Sequence, residues 1–237
     1  MLLFDRHPIQ AIVCDIEGTT SDIAFVKNVL FPYATARIAA VMGQIAETKA
    51  GQDILAQVRD EVGEPDLGLD DAIAQLLSWA KADQKVTPLK TLQGIIWAEG
   101  YRTGAYTSHI YDDAADYLSR WHQQSIPIYI YSSGSIAAQK LLFAHTTAGD
   151  LTPCLQGYFD TTTGPKLDPD SYRIIARTLA IPPQELLFLS DHPGELDAAA
   201  QAGWQVCAIQ RPGTPGFAPE RRVVKQFDQL PLQQAGA

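Results

Sequence analysis

Four short polar clusters hold the residue types from which chemistry could be built. Asp15 and Glu17 stand two apart after the apolar run Ala11–Cys14. Ser132-Ser133-Gly134-Ser135 follows Ile126–Tyr131, and Ser190-Asp191-His192-Pro193-Gly194-Glu195 follows Leu186–Leu189. Between these two lies Gly164-Pro165-Lys166. Carboxylates two apart at a strand end share a face, with Cα atoms roughly 6–7 Å apart. One of them could attack phosphorus while a cation and hydrogen-bond donors neutralise its charge. The other could protonate the leaving oxygen and then activate water. Ser132, Ser133 and the main-chain N–H groups of a helix start could bind phosphoryl oxygens. Lys166 would add a positive charge from a rigid turn, and Asp191 an oxygen ligand for a hard cation.

Each cluster also has a plainer reading. The acidic pair could be a solvated strand end, the Ser/Gly cluster an ordinary helix N-cap, and Lys166 an exposed loop lysine. Glu195 could act through water or a hydrogen bond to the metal shell, or could simply suit a helix N-terminus. A single loop histidine such as His192 is read as a surface residue.

The clusters need elements to hold them. The runs Ala11–Cys14, Ile126–Tyr131, Leu186–Leu189 and Val206–Ile209 are apolar without strict alternation, the pattern of strands buried on both faces. Helical patterns separate the later runs. One is capped by Ser135 and reaches about His145; a second has Asp168 as N-cap, Pro169 at N1, and Tyr172, Ile175 and Leu179 on one face. A third begins near Pro193 and stops at Gly203. Strand alternating with helix predicts a doubly wound, parallel α/β sheet. More than a hundred residues part the first two strands, far beyond an ordinary crossover. That interval shows helical stretches over Val26–Met42, Ile54–Val62, Leu69–Trp79 and Leu89–Glu99. The expectation is an inserted all-helical cap domain over residues 21–105, interrupting an α/β core made of 1–20 and 106–237. Phe25, Trp97 and Tyr101 are expected in the cap's core or hinge, and the tail beyond Pro231 is expected to fray.

At ~150 residues per domain, 237 residues fit one domain plus a large insertion. Lys and Arg number 18 against 27 Asp and Glu, so the net charge is −9. That balance argues against sequence-independent nucleic-acid binding, although a bound divalent metal could still bring in a small anion. Cys14, Cys154 and Cys207 lack metal-ligand spacing, and two lie in apolar runs as small core residues. No basic and apolar leader opens the sequence, and no apolar segment approaches the ~20 residues of a membrane span. A cytoplasmic monomer is expected, with no nucleic-acid or membrane partner.

The ordered set of four clusters resembles the haloacid dehalogenase superfamily. The resemblance sharpens in Asp15-Ile16-Glu17-Gly18-Thr19-Thr20, Ile23–Lys27, Val29–Ala34, Trp97, Gly100-Tyr101, Tyr129–Ser135 and Gln139–Phe143. These segments are similar to the enolase-phosphatases of methionine salvage, and the similarity runs into the inserted helices. Most of the superfamily has Asp where this chain has Glu17, whereas the enolase-phosphatase pattern has Glu. The resemblance implies Asp15 as nucleophile and Glu17 as acid and base, with Ser132, Ser133 and Lys166 on the phosphate. It implies Mg²⁺ on Asp15, Glu17 (through a main-chain or side-chain oxygen) and Asp191. The implied substrate is 2,3-diketo-5-methylthiopentyl 1-phosphate, enolised and then dephosphorylated to an acireductone. Two other readings are a phosphatase for another small phosphate ester and a non-enzymatic, receiver-like phosphoacceptor. In receivers the phosphorylated Asp ends the third strand, not the first.

Overall fold

The computed structural model describes residues 2–214 and 216–234. Strands β1 (Leu2–Phe4) and β2 (His7–Ile9) form a hairpin, and β3 (Ala11–Cys14) follows at once. The chain then enters a helical stretch: α1 (Ile23–Phe25), a π-helical segment Val26–Leu30, α2 (Phe31–Thr35), α3 (Ile38–Ile45), α4 (Lys49–Val62), α5 (Leu69–Lys81) and α6 (Thr87–Arg102). Alternation resumes with α7 (Asp112–Gln123), β4 (Ile128–Tyr131), α8 (Ile136–Ala144), β5 (Gly157–Phe159), α9 (Pro169–Leu179), β6 (Leu186–Ser190), α10 (Pro193–Gln201) and β7 (Gln205–Ile209). Two short strands, β8 (Val223–Val224) and β9 (Leu232–Gln234), complete the elements. The chain divides into two compact units, Met1–Ile23 with Ser108–Ala237, and Ala24–Thr107.

In the first unit six parallel strands pair in the order β5-β4-β3-β6-β7-β8. This is a doubly wound α/β sheet whose order reverses at β3, so ligands are expected at the carboxyl end of that strand. Period-two alternation assigns its side chains to two cores. Ile12 and Cys14 pack with Ala114, Leu118 and Trp121 of α7 and Phe143 of α8. Ala11 and Val13 pack with Tyr172 and Ile175 of α9 and Leu196 and Ala199 of α10. Each large apolar side chain so buried contributes roughly 1.5–3 kcal/mol. The central strands therefore hold the ends from which the polar clusters emerge.

The second unit is all helical, and its core follows helical spacing: Ile38 and Met42, Ile54 and Val58, Ala72, Leu76 and Trp79, Leu89, Leu92 and Ile96. Tyr101 and Phe25 are buried in this unit, and the Trp97 indole N–H donates to the Leu30 carbonyl at 2.9 Å. The continuous helix expected over Val26–Met42 is broken into three pieces. Pro32 has no N–H for the carbonyl four residues back, and the turn before it widens so that Phe31 N–H reaches Val26 instead. A second break falls at Arg37, whose φ of −113° leaves the helical range.

The tail behaves differently from expectation. Leu232–Gln234 pairs antiparallel with Leu2–Phe4, and Leu232 packs against the core, so the chain is ordered through Gln234. The rest of the expected fraying, at 235–237, lies outside the described residues. The second strand starts at Ile128 rather than Ile126, after Pro127. Among the described residues, no helix is long and apolar enough to cross a membrane.

Candidate active site

Asp15 is the first residue past β3, and its N–H still donates to Leu189 O across to β6 at 2.9 Å. Beyond it the chain wraps tightly around one acceptor: the N–H groups of Thr19, Thr20 and Ser21 all donate to Ile16 O, at 3.1, 3.0 and 2.9 Å. The Thr20 hydroxyl donates to Asp15 O at 3.1 Å. Gly18 takes φ +75°, and a Cβ there would collide with the Asp191 carboxylate. Only glycine lets the acidic loop lie against Asp191. Asp15 is buried and Glu17 is partly exposed on the same loop.

Lys166 reaches this loop from the turn before α9. Its ammonium lies 2.6 Å from Asp15 Oδ1 and 2.7 Å from Glu195 Oε2, with its side chain only 9% exposed. Burial alone would drive the lysine toward its neutral form. The charges of Asp15 and Glu195 outweigh that, and the group is held above its ordinary range. Glu195 is pushed up to about 7, chiefly by burial and then by the charge of Asp15, against the pull of Lys166. Its Oε2 also accepts the Ser190 hydroxyl at 3.0 Å. Glu195 is thus part of the ion-pair cluster through Lys166. His192 is an exposed N-cap for α10, its Nδ1 accepting from Glu195 N–H at 3.3 Å.

Three hydroxyls that sequence reasoning did not single out fix the lysine turn. Tyr131 donates to Gly164 O at 2.9 Å, Ser171 to Pro165 O at 2.8 Å, and Tyr172 to Lys166 O at 2.8 Å. Helical spacing places Tyr172 on the core face of its helix, and the spacing of an aromatic stripe gives no sign of a polar contact at the ring's end. Tyr172→Phe is expected to leave the Lys166 carbonyl without its donor, a loss of about 1–3 kcal/mol. Kinetics and urea unfolding of this variant should show kcat down by about tenfold, with KM nearly constant, because a slightly misplaced ammonium weakens catalysis more than folding.

The serine cluster lies beside Asp15 because β4 pairs with β3 in register, Cys14 opposite Ile130. Ser132 is buried, and its Oγ accepts from Gly134 N–H at 3.3 Å, leaving the hydroxyl proton for a ligand oxygen. Ser133 is exposed, and Ser135 caps α8 by accepting from Ala138 N–H at 3.3 Å. The buried Gln139 amide donates to Gly134 O at 2.8 Å and Phe159 O at 2.9 Å, tying the loop to the end of β5.

Asp191 follows β6, and its N–H donates to the Thr19 hydroxyl at 2.9 Å. Burial raises it to about 6, with the charge of Asp15 as the second cause and a smaller push from Glu17. Among the described residues, no three His, Cys, Asp or Glu side chains cluster closely enough to hold a metal unaided. Asp15 and Asp191 nevertheless repel one another, and the single ammonium is already shared between Asp15 and Glu195. An all-oxygen set with two carboxylates suits Mg²⁺, which keeps waters and takes phosphate oxygens as its other ligands. The residues present fit that ion.

With the geometry in place, three comparisons bear on it. The family model of haloacid dehalogenase-like hydrolases matches residues 9–203. "Enolase-phosphatase E1" of Methylococcus capsulatus is 50% identical over 205 residues, 86% of this chain and 90% of that protein. "Enolase-phosphatase E1" of Alcanivorax borkumensis is 50% identical over 224 residues, 94% of this chain and 99% of that protein. The crystal structure of UTR4 protein from Saccharomyces cerevisiae superposes with a TM-score of 0.82 at 36% identity, covering 94% of this chain and all of that one. A family model of hydrolases over residues 9–203 and relatives of this similarity set the receiver-like reading aside. The chain is an enzyme of the haloacid dehalogenase-like hydrolases, and within them it belongs to the enolase-phosphatase E1 family.

Proposed function

We propose that this chain converts 2,3-diketo-5-methylthiopentyl 1-phosphate to the acireductone and phosphate, with Asp15 as nucleophile. The observation that carries the reading is the buried Asp15 carboxylate held at 2.6 Å by Lys166 at the end of the central strand. Lys166 aims one Asp15 oxygen and shields the charges of nucleophile and phosphoryl group from one another. Glu17 removes the proton from the phosphate-bearing carbon and keeps it, the C–H electrons form a C=C bond and the neighbouring carbonyl oxygen becomes an enolate; the longer reach of Glu17 than Asp lets one residue serve this and the next step. An Asp15 oxygen then attacks phosphorus, the P–O bond to the substrate breaks, and Glu17 protonates the departing oxygen. Glu17 next takes a proton from water, which attacks the aspartyl-phosphate and frees Asp15 and phosphate. Ser132 and Ser133, with the main-chain N–H groups beside them, bind the phosphoryl oxygens. Mg²⁺ would be held by Asp15, Asp191 and an oxygen of Glu17, and when bound supplies charge neutralisation for phosphoryl and enediolate oxygens. The helical unit selects the substrate, a role supported by the family resemblance of Ile23–Lys27, Val29–Ala34 and Trp97. A reducing, cytoplasmic setting is supported by Cys14, Cys154 and Cys207, all unpaired thiols.

Phosphate release from the diketone phosphate, measured against a panel of sugar phosphates, tests the assignment. The diketone phosphate is expected to lead in kcat/KM by at least about 100-fold, with activity lost in excess chelator and regained with Mg²⁺. A sugar phosphate turned over equally well, or full rate in chelator, would overturn it.

A further inference from the structure

One buried arginine outside the proposed site grips the loop that carries Asp15. Arg211 lies just past β7 and is 4% exposed. Its Nε and one Nη2 N–H both donate to a single acceptor, Thr19 O, at 3.1 and 2.9 Å. Its Nη1 donates to both oxygens of Asp113 at 2.9 Å and to Lys225 O at 3.2 Å. The guanidinium carbon stands 4.1 Å from the centre of the Tyr111 ring, and Phe227 N–H donates to Asp113 Oδ2 at 2.8 Å. Tyr111 N–H in turn donates to Thr20 O at 3.0 Å, so two neighbouring carbonyls of the acidic loop are fixed from behind.

A buried ion pair gives little net stability over well-packed apolar groups, which does not account for two donors on one carbonyl. What that grip fixes is the orientation of Thr19, whose hydroxyl accepts the Asp191 N–H at 2.9 Å. The hydrogen bonds run unbroken from Asp113 through Arg211 and Thr19 to Asp191. Gly18, one residue before Thr19, is the position packed against the Asp191 carboxylate.

We propose that Arg211 is a positioning residue that sets the separation of the Asp15 and Asp191 carboxylates through Thr19. The proposal rests on the reading of those two carboxylates as a cation-binding pair. Lysine could keep the charge beside Asp113 but could not also place two N–H groups on Thr19 O. Asp113→Asn would loosen the same clamp from its other end while Arg211 itself is kept.

The test compares full-length wild type, Arg211→Lys and Asp113→Asn. Mn²⁺ binding without substrate is read from loss of the free-ion electron paramagnetic resonance signal, alongside thermal melting, kcat and KM. Mn²⁺ affinity is expected to fall about tenfold or more in both variants, and kcat about tenfold with KM within about twofold. A folded variant with lowered melting temperature but Mn²⁺ affinity and kcat within about twofold of wild type would overturn the proposal. If Arg211→Lys fails to fold, Asp113→Asn decides; if neither folds, the clamp serves stability and the proposal falls. Should the wild type fail to release phosphate from the diketone phosphate, the function assigned above fails while the Mn²⁺ comparison still decides this one.

Discussion

Asp15→Asn is expected to abolish phosphate release, by at least about 10⁴-fold, while the protein stays folded. The amide matches the carboxylate in shape but cannot attack phosphorus, and the Lys166 contact at 2.6 Å has a carbonyl oxygen to replace the carboxylate oxygen. The variant also has a second signature. Asp15 is the second-largest cause of the upward shifts of both Asp191, at about 6, and Glu195, at about 7. Removing its charge should bring both back toward the ordinary carboxylate range, read by NMR titration of metal-free protein. Turnover within about tenfold of wild type, or unmoved titrations, would contradict the role given to Asp15.

Lys166→Met is expected to cost stability as well as activity, because it strips the cation from two buried carboxylates. Breaking a buried pair in this way costs about 3–5 kcal/mol, and loss of the ammonium from the phosphoryl site at least about 10³-fold in kcat. The stability deficit should depend on pH with a definite sign. Glu195 faces Lys166 and Ser190, with Asp15, Tyr131 and Tyr172 near the same ammonium or turn. It already lies at about 7 in the wild type, and without Lys166 it rises further. The unfolded chain sheds that proton near ~4.3. A raised folded value confers stability that is complete below the unfolded value and lost as pH rises through the folded one. The deficit of the variant should therefore grow above about pH 7, where wild type has completed its loss and the variant has not. Urea unfolding at pH 6 and pH 9 measures it; equal deficits at the two pH values would contradict the shared ion pair.

The site was legible in the sequence to the extent that each group follows a strand buried on both faces. Asp15 after Ala11–Cys14, Ser132 after Ile128–Tyr131 and Asp191 after Leu186–Ser190 stand at the carboxyl ends of three adjacent central strands. The groups that brace them were not legible, because bracing depends on register and on atoms at the far ends of core side chains. Tyr172 reads as a core aromatic and Arg211 has no spacing that ties it to the polar clusters, yet each grips a main-chain carbonyl of the site. Glu195 looked evenly divided between helix-terminus and site roles; only the folded chain brings Lys166 to it, 29 positions away in the sequence. In the fold, β5 has no sequence signature because three partly buried residues at a sheet edge carry no periodicity. The β2-β1-β9 sheet has none either, because it joins opposite ends of the chain, Leu2 opposite Gln234. Pro32 stood in plain view, but its effect on the helix before it is a matter of hydrogen-bond geometry that apolar spacing does not record.

The central claim is that phosphate leaves the substrate by way of Asp15. Its most direct test is acid quenching of enzyme turning over the diketone phosphate with Mg²⁺, followed by proteolysis and mass spectrometry. The account predicts one phosphoryl group on the peptide containing Asp15, at Asp15 itself, and none in Asp15→Asn. A phosphoryl group on any other residue, or steady turnover with the Asp15 peptide unmodified throughout, would contradict it.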